Sequence, residues 1–383
     1  MKGLVAVFAG ALAMCASLAM AAVPAAPVFN TAVKVADGKI RGQNSKVVVD
    51  GTTIYAAFED FHGANDNPVM VAKSTNGVTW GLPIMPDSTA TGVGRMPRVA
   101  VSNDPVYTGM KIIHSVWQQS TTGDIMYSFF SNRPNQTGWS APVKINGSAI
   151  INADEINLIT TANGEVHVLM DNYYSTASAP DSIFIEPIAV VASGSGSLAK
   201  DANNNLYAAF QDGTFSKKAA GSSNWVNSTA TFAPAGTVFS ERIQLAIADA
   251  NTYYVAYGDT ASSTVKLASS TNGGTSWISR TAIAYTTGGS QPSIAVTSAK
   301  VLTLVTMTAQ NANGTNTSKV VRTNDNGVTW STPVTIQGDD SEPSISLDAS
   351  NKVMIFNRDD QNGKDWASIR NNPNASLIFI KEK

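Results

Sequence analysis

The chain has 383 residues, a formal net charge of -2 and only 14% charged residues. Hydrophobic residues make up 43% of the chain, which is enough to form a substantial core. The sequence lacks a basic run, so we expect no nucleic-acid partner. The length suggests either two or three domains or one large closed repeat fold.

The first 21 residues are typical of a signal peptide. A short positive start, Met1-Lys2, precedes an apolar stretch over residues 3–18, and residues 19–21 form a small-x-small cleavage site. Residues 22–28 are rich in Ala and Pro and form a spacer. We therefore expect an exported protein, extracellular or periplasmic, with one folded domain over residues 29–383.

The single cysteine, Cys15, lies inside the predicted signal peptide, so the mature chain contains no thiol and no disulfide. An alternative interpretation makes Cys15 a lipoprotein attachment site, although Met14 is bulky where such sites require a small residue. No later segment has the roughly 20 apolar residues needed to span a bilayer, so we expect no transmembrane segment.

After the spacer, short stretches rich in Val, Ile and Tyr alternate with small residues, a pattern that predicts strands rather than helices. They occur in pairs, and the pairs repeat roughly every 40 to 57 residues. The predicted first strands are 46–49, 98–101, 156–159, 197–200, 243–247, 293–296 and 344–347. The predicted second strands are 54–58, 112–117, 166–170, 206–210, 253–257, 302–307 and 353–356.

Three tryptophan-containing turns punctuate these repeats and end at Trp80, Trp277 and Trp330. The last turn, residues 323–330, matches the pattern Ser/Thr-x-Asp-x-Gly-x-Thr-Trp at every specified position. In such a turn the Asp side chain accepts bonds from nearby backbone N–H groups, and Gly supplies a positive φ. This pattern resembles the Asp-box, or BNR repeat, of sialidase-like β-propellers.

The resemblance and the repeat length together imply an all-β fold, a seven-bladed β-propeller of four-stranded antiparallel blades, with six blades as the alternative. Residues 31–35 resemble the outer-strand sequence at 332–336, so the N-terminal strand can complete the last blade. Residues 376–380 compete for that position. Closure by either segment would protect sheet edges from solvent.

Strand direction separates two faces of such a propeller. First strands begin, and second strands end, on one face, which we call the front; the tryptophan turns lie on the back. We expect the turn residues Asp325, Asn272, Trp330, Trp277 and Trp80 to be purely structural.

Many of the scarce charges fall at the front. The residues that open the first strands are Arg41, Arg95, Arg98, Glu155, Glu241, Arg242, Gln291 and Glu342. Polar groups that converge on a depression favour ligand binding. The ligand-binding candidates are Arg41, Arg95, Arg242, Glu342, Asp171, Asp212, Asp259 and Arg358. The alternative is that each of these residues caps a strand end or pairs across blades.

Residues 41–80 resemble the N-terminal blade of a sialidase in the order of their elements. The resemblance implies that Arg41, Arg95 and Arg242 bind a substrate carboxylate, since guanidinium groups form paired bonds to carboxylates. It also implies that Asp60 or Asp66 acts as the acid/base. The pattern is incomplete: Gly42-Gln43 replaces the Ile-Pro that follows the family's first arginine, and no Tyr lies in a recognisable nucleophile context.

Neither a metal nor a cofactor is expected. His114 and His167 fall within predicted second strands, where packing is favoured over metal binding. Residues 359–365 place oxygen ligands around a Gly but lack the terminal Glu of a calcium loop.

The sequence therefore predicts a monomeric, exported recognition module that binds a glycan or a surface protein at its front face. The alternatives are a divergent glycoside hydrolase that acts on acidic sugars and a structural role in an extracellular assembly.

Overall fold

A computed structural model describes residues 22–37, 40–60, 68–81, 84–86, 94–148, 153–285, 291–310, 316–336, 343–359 and 376–383. These residues form seven antiparallel sheets and contain no helix, so none of them provides an apolar helix that could cross a bilayer. The predicted signal peptide lies outside the described residues.

The strands follow one another blade by blade, apart from β1 (Val33–Asp37), which joins the last sheet. Blade 1 contains β2 (Ile40–Asp50), β3 (Thr53–Asp60) and β4 (Val69–Ser74). Blade 2 contains β5 (Gly94–Asn103), β6 (Lys111–Gln119), β7 (Ile125–Arg133), β8 (Gln136–Trp139) and β9 (Val143–Lys144). Blade 3 contains β10 (Ile156–Thr160), β11 (Val166–Met170), β12 (Tyr173–Ala177) and β13 (Ile188–Ala189).

Blade 4 contains β14 (Gly196–Lys200), β15 (Leu206–Phe210), β16 (Phe215–Lys218) and β17 (Val226–Asn227). Blade 5 contains β18 (Phe239–Ile247), β19 (Tyr253–Asp259), β20 (Thr264–Ser270) and β21 (Ile278–Ala284). Blade 6 contains β22 (Ser293–Val296), β23 (Leu302–Gln310), β24 (Asn316–Thr323) and β25 (Val334–Ile336). Blade 7 contains β26 (Ser344–Leu347), β27 (Val353–Asp359) and β28 (Ser376–Lys381).

The blades close into a ring. Each inner strand packs against the inner strands of both neighbouring blades, and β26 of blade 7 packs against β2 of blade 1. All of the predicted first and second strands lie within observed strands. The seven-bladed prediction is therefore confirmed, and the six-bladed alternative is wrong.

The N-terminal strand completes the last blade, which was one of the two closures that the sequence allowed. The seventh sheet has the order β1-β28-β27-β26, so β1 is the outermost strand and β28 is the third. The two competing segments thus occupy neighbouring positions, because the last blade needs both. Beyond the strands, the Asn30 N–H donates to the Lys381 carbonyl at 2.8 Å, which extends the pairing of the two chain ends.

Apolar clusters fill the spaces between blades. In one cluster Phe58 of blade 1 packs with Phe356 and Phe379 of blade 7. Trp80 lies edge-on to these two phenylalanines, with ring centroids 5.3 and 5.5 Å apart. Trp277 of blade 5 similarly packs on Phe215 of blade 4 at 5.1 Å. These tryptophans therefore seal a blade against the preceding one, consistent with a structural role.

The turn that ends at Trp330 joins β24 to β25, at the back. The Asp325 carboxylate accepts bonds from the Thr329 N–H at 2.9 Å and from the Thr329 hydroxyl at 2.6 Å. Gly327 has a φ of 81°, and its N–H donates to the Thr323 hydroxyl oxygen at 3.0 Å. Since β18 begins at the opposite end of its blade, Arg242 and the tryptophan turns lie on opposite faces.

Candidate functional site

Side chains of some inner strands form hydrogen bonds to the backbone of the inner strand in another blade, and these bonds hold the inner strands together around the axis. The Ser344 hydroxyl oxygen accepts the Val47 N–H at 3.2 Å, and the Ser197 hydroxyl oxygen accepts the Leu245 N–H at 3.0 Å. One corresponding position on each inner strand carries a polar side chain. These residues are Lys46, Arg98, Asn157, Ser197, Gln244, Ser293 and Ser344. The axis of the propeller is therefore polar. Of these residues only Lys46 in blade 1 and Arg98 in blade 2 are charged.

A buried ion network crosses this axis. Glu155 precedes β10 and is 7% exposed. Its Oε1 lies 2.5 Å from Nη2 of Arg98, and its Oε2 lies 2.5 Å from Nε of Arg242. The Nε of Arg98 also donates to the Ile156 carbonyl at 2.6 Å, which fixes the plane of its guanidinium. One carboxylate therefore joins blades 2, 3 and 5.

The electrostatics of the network follow from burial and proximity. Burial raises the pKa of Glu155, but the positive charges of Arg242, Arg98 and Lys46 outweigh it and hold that pKa below its ordinary value. For Lys46, burial, Arg98 and Arg242 lower the pKa and the Glu155 charge offsets them only in part, so the pKa falls to about 8. Glu155 is therefore ionised at neutral pH. Neutral pH lies only about one unit below the pKa of Lys46, so a modest rise in pH deprotonates this amine.

A small axial cavity opens beside this network, with a volume of about 30 Å³. Its charged lining consists of Lys46, Arg98, Glu155 and Arg242. Its uncharged lining includes Ser45, Gln244, Gln291, Ser293, Pro343 and Ser344. Glu155, Gln291 and Pro343 each precede an inner strand, so the cavity lies toward the front.

Asp171 supports the network through its hydrogen bonds. Its carboxylate accepts the N–H groups of Asp154 and Glu155 at 3.0 and 2.9 Å, and the Ser195 hydroxyl at 2.9 Å. Burial raises its pKa despite these bonds. Asp171 therefore holds the backbone that carries Glu155.

Two other predicted ligand residues stabilise turns. Asp212 is exposed and accepts the Thr214 N–H at 2.8 Å. Asp259 is buried and accepts the Ala261 N–H at 3.2 Å and the Ser262 hydroxyl at 2.7 Å. These contacts match the capping alternative stated above for strand ends.

Among the remaining predicted ligand residues, Arg95 is exposed on the front rim, and Arg242 lines the axial cavity. The backbones of Arg41, Asp60 and Arg358 lie in strands, while their side chains fall outside the description. Glu342 and Asp66 lie outside the described residues entirely.

The two described histidines form hydrogen bonds within the blades. His114 contacts the Tyr127 hydroxyl at 2.8 Å and the Ser102 hydroxyl at 2.9 Å, and burial lowers its pKa to about 3. His167 contacts the Tyr174 hydroxyl at 2.8 Å, and burial lowers its pKa to about 4. Both therefore pack as neutral side chains, and the described residues contain no cluster able to hold a metal.

Sequence reasoning missed Lys46 and assigned no individual role to Arg98 or Glu155. The available signal was position: Lys46, Arg98 and Glu155 lie at or next to the start of a predicted first strand, in a chain with only 14% charged residues. Lys46 was overlooked because the apolar residues 47–49 that follow it are typical of a buried strand.

Neither the known family models nor the curated proteins include a match to this chain. Its fold does match solved structures. A Hadza microbial sialidase, Hz136, is 12% identical with a TM-score of 0.51, over 90% of this chain and 68% of that one. The chain has the sialidase-like β-propeller fold.

Other structures of different function share this fold. An ulvan lyase bound to the repeat GlcA(1-4)Rha3S is 11% identical, with a TM-score of 0.60 over 85% of this chain and 92% of that one. YCF48 bound to a D1 peptide is 12% identical, with a TM-score of 0.55 over 95% of this chain and 99% of that one. At these identities the similarity establishes the fold alone, so function must be argued from the residues of this sialidase-like propeller.

Proposed function

We propose that this protein is a recognition module that binds an acidic glycan at the front face, without catalysing its cleavage. The supporting observation is the network of Arg98, Glu155 and Arg242 at the centre of that face. Burying several charges together is costly, and a hydrophobic replacement is often at least as stable. A ligand role gives a reason for placing guanidinium groups there.

Arginine suits an acidic sugar because its planar group donates paired, charge-assisted bonds to carboxylates and sulfates. Arg242 is positioned for this, since it lines the depression while Glu155 holds its Nε. Arg95 is exposed on the same face and can add a second contact. The lyase and sialidases of the same fold make acidic sugars the first ligands to test.

A glycan array tests the proposal, using the chain that begins at Ala22 and comparing sialylated, uronate-bearing and sulfated glycans with neutral ones. We expect acidic glycans alone to bind. Arg242→Gln should weaken binding about 10- to 100-fold, the effect of losing a charge-assisted bond. Arg242→Lys, which retains the charge, should lose less.

Lys111→Gln is the matched control, because Lys111 lies at the back and pairs there with Asp50 at 2.9 Å. It should bind like the wild type. Equal binding of neutral and acidic glycans, or no effect of Arg242→Gln in a folded variant, would contradict the proposal.

A fluorogenic sialoside assay on the same samples separates recognition from hydrolysis. Turnover that disappears in Asp60→Ala or Asp66→Ala would establish the hydrolase alternative and reject a purely binding role. We further propose that the mature protein is exported and monomeric, which cell fractionation and light scattering would test.

A further inference from the structure

The axial cavity is too small for a sugar. Its volume of about 30 Å³ accommodates one or two particles of the size of water. The ring of a glycan must therefore remain above it, on the rim. Whatever occupies the cavity itself is small, and the lining side chains determine its charge.

The lining is rich in cationic donors. Lys46, Arg98 and Arg242 all border the cavity, together with Ser293 and Ser344. Within the described chain, the Lys46 amine has neither a hydrogen bond nor an ion pair. Glu155, the carboxylate of this group, already lies 2.5 Å from nitrogen atoms of both arginines. Lys46 is therefore a partly buried cation that borders the cavity and feels the charge of Glu155 without forming an ion pair with it.

We propose that the axial cavity binds one small inorganic anion, of the size of chloride, with the Lys46 ammonium as its main donor. Chloride is little larger than water and accepts bonds from several N–H groups at once. It would supply the contact that Lys46 lacks, and the guanidinium groups would add to the favourable potential. This site is separate from glycan binding, since the cavity does not admit a sugar ring.

Binding at this site should be coupled to a proton. The charged groups that face Lys46 on β2 are Arg98 on β5, Glu155 ahead of β10 and Arg242 on β18. Burial and the two arginines lower the pKa of Lys46 to about 8, although Glu155 acts in the opposite direction. An adjacent anion favours the protonated amine, so binding raises this pKa and takes up a proton above pH 8. The apparent affinity should then fall about tenfold per pH unit above pH 8 and stay constant below pH 7.

Thermal unfolding provides the test. The chain that begins at Ala22 is heated in increasing sodium chloride, with sodium gluconate keeping the ionic strength constant, at pH 7.0 and pH 9.5. A ligand that binds only the folded state raises the midpoint according to its concentration and dissociation constant. We expect chloride and bromide to raise the midpoint at pH 7.0, with apparent affinity more than tenfold weaker at pH 9.5. The larger sulfate should have less effect.

Two variants of Lys46 separate anion binding from folding. Lys46→Met should abolish the chloride effect, whereas Lys46→Arg should retain it and lose its pH dependence, because arginine does not titrate in this range. Lys111→Met, at the back, is the control and should behave like the wild type. A chloride effect that persists unchanged in Lys46→Met would overturn the proposal.

Crystals grown in sodium bromide locate the ion directly by anomalous scattering. A bromide peak in the axial cavity, absent from Lys46→Met crystals, would support the site. Peaks confined to other surfaces would refute it. Failure of the glycan array would leave this result unaffected, so the two proposals can fail separately.

Discussion

Glu155→Gln is the most informative single change, because Glu155 pairs with both Arg98 and Arg242. Glutamine has nearly the same shape, so the change removes charge while it preserves packing. Glu155 is 7% exposed, and both ion pairs are 2.5 Å long. Removing one partner of a buried pair costs about 3–5 kcal/mol, since the remaining charge stays buried. We expect a loss of this size in the free energy of unfolding at pH 7.

Urea unfolding measures this loss, and pH gives an internal check. The folded pKa of Glu155 lies below its ordinary 4.5, so the ionised carboxylate stabilises the fold above that pH. This contribution disappears as the pH falls through the lowered folded pKa. The difference between Glu155→Gln and the wild type should therefore be largest at neutral pH and shrink in acid.

Lys111→Gln is the control for the same measurement. Lys111 and Asp50 form a surface pair with side chains 43% and 30% exposed, so its loss should cost less than about 1 kcal/mol. If Glu155→Gln costs no more than this control at pH 7, the argument for a tightly coupled axial network is wrong.

Three further predictions concern the scaffold. Gly77→Ala should lower the free energy of unfolding in urea by about 2–3 kcal/mol, because the φ of Gly77 is +70° and a Cβ would lie 2.6 Å from Cε1 of Phe379. Gly51 is the control: its φ is +61° but the space around it is open, so Gly51→Ala should cost only about 1 kcal/mol. Equal losses in the two variants would contradict the predicted clash. Deleting residues 22–37 removes β1 and exposes the edge of β28, so the thermal midpoint should fall far more than after deletion of residues 22–26; similar midpoints would show that closure by β1 adds little. The pKa of His114 is about 3 in the folded state and about 6.5 in the unfolded state. Below pH 6.5 the unfolded state binds a proton that the folded state does not, so the free energy of unfolding falls by about 1.4 kcal/mol per pH unit. Acid titration of unfolding should show a slope smaller by this amount in His114→Gln, and an unchanged slope would mean that His114 is not held neutral.

Much of the scaffold could be predicted because its signals are local. The strand pattern in residues 253–257 and the turn around Trp330 depend on neighbours within a few positions. Repetition of these signals favoured seven blades over six, and the likeness of residues 31–35 to an outer strand made it one of two candidates for the closing strand. The position of β28 was ambiguous, because a third and a fourth strand have the same local pattern.

The candidate site was less predictable, since its contacts join distant segments. Asp171, Asp212 and Asp259 share the front position with Arg242, yet the aspartates hold backbone turns or the Glu155 segment. The position of Lys46 at the start of a predicted strand does not by itself distinguish it from an ordinary strand lysine. Only the placement of blades brings it beside Arg98 and Arg242.

The sequence by itself determined the repeating strands and the tryptophan turns, because periodicity and turn chemistry act over a few residues. Its resemblance to a known repeat indicated a propeller with two distinct faces, and it left six or seven blades open. The tertiary structure decided which front-face charges meet at the axis and which cap turns. The reason is geometric. When the ring closes, some residues at similar strand ends lie on the rim and others lie at the central axis. Burial at the axis then determines their partners and their pKa values.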